Sequence, residues 1–120
     1  MKVRVKRIYD EASPDDGYRI LVDRLWPRGI SKEKAHLDEW MRGIAPSDAL
    51  RTAFHHGGED FSAFKKAYLQ ELADSTEKQE LLKAIAEHAK NDNVTLLFGA
   101  KDEANNQAVL LKELLEKKYL

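Results

Sequence analysis

The chain has 120 residues, of which 42% are hydrophobic and 34% charged, with no cysteine and a formal net charge of -1. That length closes one hydrophobic core and is too short to split in two, so residues 1–120 read as a single domain. The lack of cysteine excludes disulfides, thiolate metal sites, cysteine nucleophiles and iron–sulfur clusters, and the near-neutral charge argues against a protein built wholly around nucleic-acid phosphates.

Met1-Lys2-Val3-Arg4-Val5-Lys6-Arg7 alternates charged and β-branched residues. It is therefore a strand with one buried face, residues 3–9, and neither a signal peptide nor a membrane span. The expected location is cytoplasmic, with no membrane partner. Asp10-Glu11-Ala12-Ser13-Pro14-Asp15-Asp16-Gly17 collects turn-forming residues and leads to a second strand over 18–24. Eight residues are short for a parallel crossover, so the two strands are expected to be antiparallel or not adjacent in the sheet.

Pro27 and Gly29 end the second strand, and Ser31 is placed to cap a helix carrying Leu37, Trp40, Met41 and Ile44 on one stripe, closed by Gly43 and Pro46. Ser47 caps a short helical turn through Phe54, stopped at His55-His56-Gly57-Gly58. Phe61, Phe64, Tyr68 and Leu72 mark an amphipathic helix over 60–73, and Leu81, Leu82, Ile85 and Ala89 mark another. Val94-Thr95-Leu96-Leu97-Phe98-Gly99-Ala100 is continuous enough in apolar character to be a central strand covered on both faces. A final helix is expected over 103–118, with Ala104, Ala108, Leu111 and Leu115 inward and Lys117-Lys118 at its negative end. These elements predict a small α/β layered fold, a short and mostly parallel sheet of three or more strands covered by four to five helices.

In open parallel sheets, ligands sit beyond the carboxyl ends of the strands. Two strand exits are unusual here: Asp23-Arg24-Leu25-Trp26-Pro27-Arg28-Gly29 and Gly99-Ala100-Lys101-Asp102. Arg24, Arg28 and Lys101, with the start of the last helix, would make an anion site. Asp23 either meets a cation from another element as an ion pair or acts as a catalytic or orienting carboxylate, since of two successive strand residues one must face inward. Asp102 is a second catalytic candidate and equally a helix N-cap. Trp26 either seals the core or stacks on a ligand, and Lys101 leaves a buried strand with little structural reason to be a lysine.

His36, His55, His56 and His88 show no spacing that puts two imidazoles on one helical face, so no metal is expected. No nucleophilic triad or phosphate loop is present. One of the His55-His56 pair could shuttle protons, the alternative being a plain surface histidine.

Lys6-Arg7-Ile8-Tyr9-Asp10, Asp16-Gly17-Tyr18-Arg19-Ile20-Leu21-Val22-Asp23-Arg24-Leu25-Trp26-Pro27-Arg28-Gly29, Leu37-Asp38-Glu39-Trp40, Ala45-Pro46-Ser47, Thr95-Leu96-Leu97 and Ala100-Lys101 together resemble the YeaO-like bacterial family, a domain of unknown function. The resemblance spans essentially the whole chain. It implies a small cytoplasmic α/β protein with a mostly parallel sheet and no established activity, substrate or cofactor. It also implies that the loop from Asp10 to Gly17 replaces a longer, helix-bearing crossover of more distant relatives. Where such relatives often carry Asn-His-Ala, this chain has Asn106-Gln107-Ala108. Asn106 joins the candidate binding residues, while Gln107 cannot act as a general acid or base.

Two functional readings follow. One is an enzyme or binding domain for an anionic, phosphorylated or nucleotide-like small molecule held by Arg24, Arg28 and Lys101, with Asp23 or Asp102 orienting a group or moving a proton. The other is a nucleic-acid or protein adaptor whose contact face is Arg4, Lys6, Arg7, Arg24 and Arg28, with Tyr9 or Trp26 stacking on bases. A surplus of nine Lys/Arg over six acids in residues 2–34 supports such a face.

Overall fold

A computed structural model of the chain describes residues 2–56 and 60–120. Four strands, β1 (Val3–Arg7), β2 (Tyr18–Leu21), β3 (Glu39–Trp40) and β4 (Val94–Phe98), form one sheet in the order β1-β4-β2-β3, and every pairing is parallel. Among the described residues five α-helices accompany it: α1 (Lys32–Ala35), α2 (Asp48–His56), α3 (Phe61–Asp74), α4 (Thr76–Asn91) and α5 (Gln107–Leu114). The chain is thus the compact mixed α/β domain its sequence pattern predicts.

β4 sits in the middle because its sequence can be buried on both sides. All five of its residues are buried, and fully burying one Leu or Phe is worth about 1.5–3 kcal/mol. Alternate residues serve two cores. Val94, Leu96 and Phe98 join Ile20 and Val22 against Phe64, Tyr68 and Leu72 of α3, Leu82 and Ile85 of α4, and Leu111 and Leu115. On the other face Leu97 and Leu21 meet Ile8 and Ala35, with Trp26, Ile30, Leu37 and Trp40 packed around them.

The dilemma posed by the short loop resolves through β4. β1 and β2 are parallel but not adjacent, since β4 lies between them. The loop carries a single 3-10 turn, Pro14–Asp16, with Ser13 and Asp16 capping it reciprocally. Gly17 then passes so close to Asn93 that a Cβ would lie 2.1 Å from its carbonyl oxygen, at φ +64°, a place only glycine can fill. Behind the loop, Asp16 and Arg19 form a buried ion pair that Lys6 joins at 3.1 Å. Arg19 also donates to the carbonyls of Ala35 (2.8 Å) and His36 (3.1 Å), fastening α1 to β2.

Several boundaries differ from the sequence reading. The strands expected over 3–9, 18–24 and 94–100 end earlier, at Arg7, Leu21 and Phe98. The helix expected through Leu37, Trp40, Met41 and Ile44 is only the single turn of α1, capped by Ser31 as expected. Its remainder is β3 followed by a 3-10 turn, Arg42–Ile44. The edge of β2 wins this segment: Met41 N–H donates to the Leu21 carbonyl at 2.9 Å, and Trp40 and Met41 go to different cores. The last helix starts at Gln107 instead of 103, because Asn106 supplies the cap, its Oδ1 accepting from Val109 N–H at 3.1 Å; a π-helical turn, Leu115–Tyr119, finishes it. Ala104, assigned inward in the sequence, is exposed. Ser47, Asp60 and Ser75 cap α2, α3 and α4. The Gly57-Gly58 loop and the side chains of His55 and His56, considered above for proton transfer, lie outside the described residues. No helix among the described residues is long and apolar enough to cross a membrane.

Candidate functional site

Because all strands run the same way, the exits of β2 and β4 open at one edge of the sheet, beside the start of α5. There Asp23 turns its carboxylate across to β4. Its Oδ2 accepts the Gly99 N–H at 2.9 Å and its Oδ1 accepts the side-chain amide N–H of Gln107. No Lys or Arg among the described residues pairs with it. In place of the cation that one of the two readings of Asp23 supposed stand two neutral donors, which stabilise the charge less than a guanidinium does. Burial pushes the Asp23 carboxyl up to about 6, although both hydrogen bonds pull the other way.

Asp23 lies in the wall of a cavity of about 400 Å³. One part of the lining is apolar and aromatic, from Trp26, Pro27, Pro46, Phe54 and Phe64; another is polar, from Asn105, Asn106 and Gln107; and Arg24, Arg28 and Arg51 supply positive charge. The indole N–H of Trp26 donates to the Ile30 carbonyl at 2.8 Å, and its ring stands edge-on to Trp40 at 5.3 Å. Trp40 in turn donates to the Asp23 carbonyl at 2.8 Å. The Trp26 ring is therefore fixed from two sides while still lining the cavity.

The structure brings most of the candidates together. Asp23, Arg24, Trp26, Arg28 and Asn106 line the cavity. Arg24 is held by an ion pair with Asp48 at 2.8 Å, a part-exposed contact worth little by itself. The side chain of Arg28 is exposed, and its backbone carbonyl accepts from the Tyr9 hydroxyl. Asn106 is buried, its Oδ1 capping α5 and its Nδ2 donating to the Asp102 carbonyl at 2.9 Å, so both ends of its amide are held by the protein.

Lys101 and Asp102 are not part of this lining. The sheet stops at Phe98, and the carbonyls of Gly99 and Ala100 are taken by the Arg7 guanidinium (3.4 and 2.9 Å). Lys101 therefore emerges in solvent, which answers its lack of structural reason. Asp102 is exposed too and caps a local turn, accepting from the N–H groups of Ala104 and Asn105 at 3.0 Å each. Those bonds hold its carboxyl below the usual range. Asp102 is thus a cap, but of a turn and not of the helix.

Arg51 and Asn105 line the cavity without having been named in the sequence, and Phe54 and Phe64 were read there only as helix residues. Arg51 and Phe54 stand three apart on α2, with Arg51 three from Asp48 and 3.5 Å from its carboxylate; that spacing makes neighbours on the helix but does not say which edge of the sheet the helix covers. Of the basic amino-terminal residues, Lys6 is paired with Asp16, and Arg7 is bonded to the β4 exit with its guanidinium 4.9 Å from the centre of the Tyr9 ring. Among the described residues no group of three or more His, Cys, Asp or Glu gathers to hold a metal ion.

The chain has relatives over nearly its full length. It is 47% identical over 115 residues to the "Uncharacterized protein YeaO" of Escherichia coli strain K12, covering 96% of this chain and 97% of the relative. It is 40% identical over 114 residues to the "Uncharacterized protein Rv3073c" of Mycobacterium tuberculosis strain H37Rv, covering 95% and 93%. No solved structure matches it significantly. A family model described as "Inactive DUF488-N3 subclade" matches residues 2–120. With that match and the relative from Escherichia coli, the chain belongs to the YeaO-like family of unknown function, within the DUF488-N3 subclade described as inactive.

Proposed function

We propose that this domain binds, without turning over, a small anionic molecule of the phosphorylated or nucleotide-like class in the cavity at the strand exits. One observation carries the reading: Arg24, Arg28 and Arg51 converge with Trp26, Phe54 and Phe64 around a single space of about 400 Å³, a size and mixture typical of small-molecule sites. Planar guanidinium groups suit phosphate and carboxylate oxygens, and the aromatic wall suits a ring or sugar face. Binding without turnover is favoured because, among the described residues that line the cavity, Asp23 and Tyr9 are the groups that can exchange a proton; the arginines stay charged and Gln107 does not titrate. The description of the family model as inactive points the same way.

The test is a thermal-shift screen with nucleoside mono- and diphosphates and sugar phosphates, run on the parent and on R24Q/R28Q. The expected result is a rise in Tm for a subset of ligands that the double variant loses. Identical responses in the two proteins would remove the reading.

A further inference from the structure

We infer that the ligand of this cavity is bipolar, carrying an N–H or O–H donor that meets Asp23 and Gln107 as well as an anionic group that meets the arginines. The inference rests on the binding reading above and adds the chemistry of the ligand's second end.

The wall formed by Asp23 and Gln107 is rich in acceptors. A carboxylate offers about four lone-pair sites, and Asp23 uses two, one for Gly99 N–H and one for the Gln107 amide. Since a carboxylate only accepts, that contact fixes which way the Gln107 amide points. Its Oε1 is left with no partner among the described residues, and both residues line the cavity. Among the described residues, the other charged groups lining the same space are Arg24, Arg28 and Arg51, with Tyr9 the remaining titratable one. None of the three arginines is within ion-pair distance of Asp23, whereas Arg24 and Arg51 both turn to Asp48. An anion placed against Asp23 would meet an uncompensated like charge; a donor placed there would replace solvation that burial has removed. A ligand with charge of one sign only is therefore mismatched to one part of the wall. The elevated titration of Asp23, near 6, agrees with a carboxylate short of donors.

The experiment compares two probes of the same shape by isothermal titration at neutral pH: O-phosphotyramine, with an ammonium opposite its phosphate, and 4-ethylphenyl phosphate, which lacks it. The parent should bind the first about tenfold or more tightly, as befits one hydrogen bond to a charged group. D23N, which keeps an acceptor for Gly99 N–H, should bring the two probes within about twofold while retaining 4-ethylphenyl phosphate. Circular dichroism and Tm establish that the variant is folded; Q107L, which removes Oε1 without touching the carboxylate, should lose part of the preference. Equal affinities in the parent, or a preference that survives D23N, overturn the inference while leaving phosphate binding intact. Failure of both probes and of inorganic phosphate to bind overturns the binding reading and this inference together.

Discussion

Gly99 donates its backbone N–H to the Asp23 carboxylate at 2.9 Å, across the gap between the ends of β4 and β2. The same contact explains why residue 99 lacks a side chain. A Cβ there would stand 2.9 Å from Asp23 Oδ2, so that the carboxylate must shift, and a tight 3.3 Å from Pro27 Cβ. G99A should therefore displace Asp23 and destabilise the fold by about 1–3 kcal/mol, the usual cost of overpacking. Urea unfolding measures the loss; a variant as stable as the parent would show that the strand exits are not packed as described.

Asp23 also sets a pH dependence of stability. Its carboxyl is raised from 3.8 to about 6 in the fold, so the folded protein holds the proton more tightly than the unfolded chain. The stability that protonation contributes is complete below about 3.8 and lost as pH rises through about 6. D23N resembles the protonated form. It should exceed the parent by about 1–2 kcal/mol above pH 7, allowing for solvent screening, and converge with it near pH 4. Tm series of both proteins from pH 4 to 8 give the comparison, and a constant difference across that range would contradict the linkage.

The buried pair of Asp16 and Arg19 behaves in the opposite sense. Burial pushes the Asp16 carboxyl up, but hydrogen bonds from Ser13 N–H, Lys6 and Arg19 outweigh it and hold the group below 3.8. Its contribution is present above the unfolded value and disappears as pH falls through the lower folded value. D16A leaves Arg19 without its carboxylate and should cost about 3–5 kcal/mol. Chemical denaturation at pH 7 checks the magnitude, and the variant should show less acid sensitivity below pH 4 than the parent.

The central strand and the long helices were legible because one physical signal dominated each. Val94–Phe98 is apolar throughout, and Phe61, Phe64, Tyr68 and Leu72 keep a strict helical period. β3 was not legible. Leu37, Trp40, Met41 and Ile44 reproduce a helical stripe by coincidence, and the competing force, pairing with the edge of β2, depends on residues about twenty positions away. The start of α5 was ambiguous for a local reason, since Asp102 and Asn106 are both capping residues and burial of Ala108, Leu110 and Leu111 decides between them. The sequence required one of Asp23 and Arg24 to face inward without saying which; the partners of Asp23 come from residues 99 and 107, and only the fold shows that neither is a cation. Arg24 and Arg28 could be placed from their own strand exit; Arg51 and Phe54 could not, because nothing in α2 itself says that it leans over that edge.

The position of β4 between β1 and β2 bears on how the chain is made. During synthesis the two amino-terminal strands emerge long before their common neighbour and have no direct pairing with each other. β1 has no sheet neighbour until Val94–Phe98 are added, and β2 until then has only β3 at its other edge, so a nascent chain halted near residue 90 would carry Ile20, Leu21 and Val22 with the β4 side of their ladder open. Closure of the sheet is therefore deferred until Val94–Phe98 have been added.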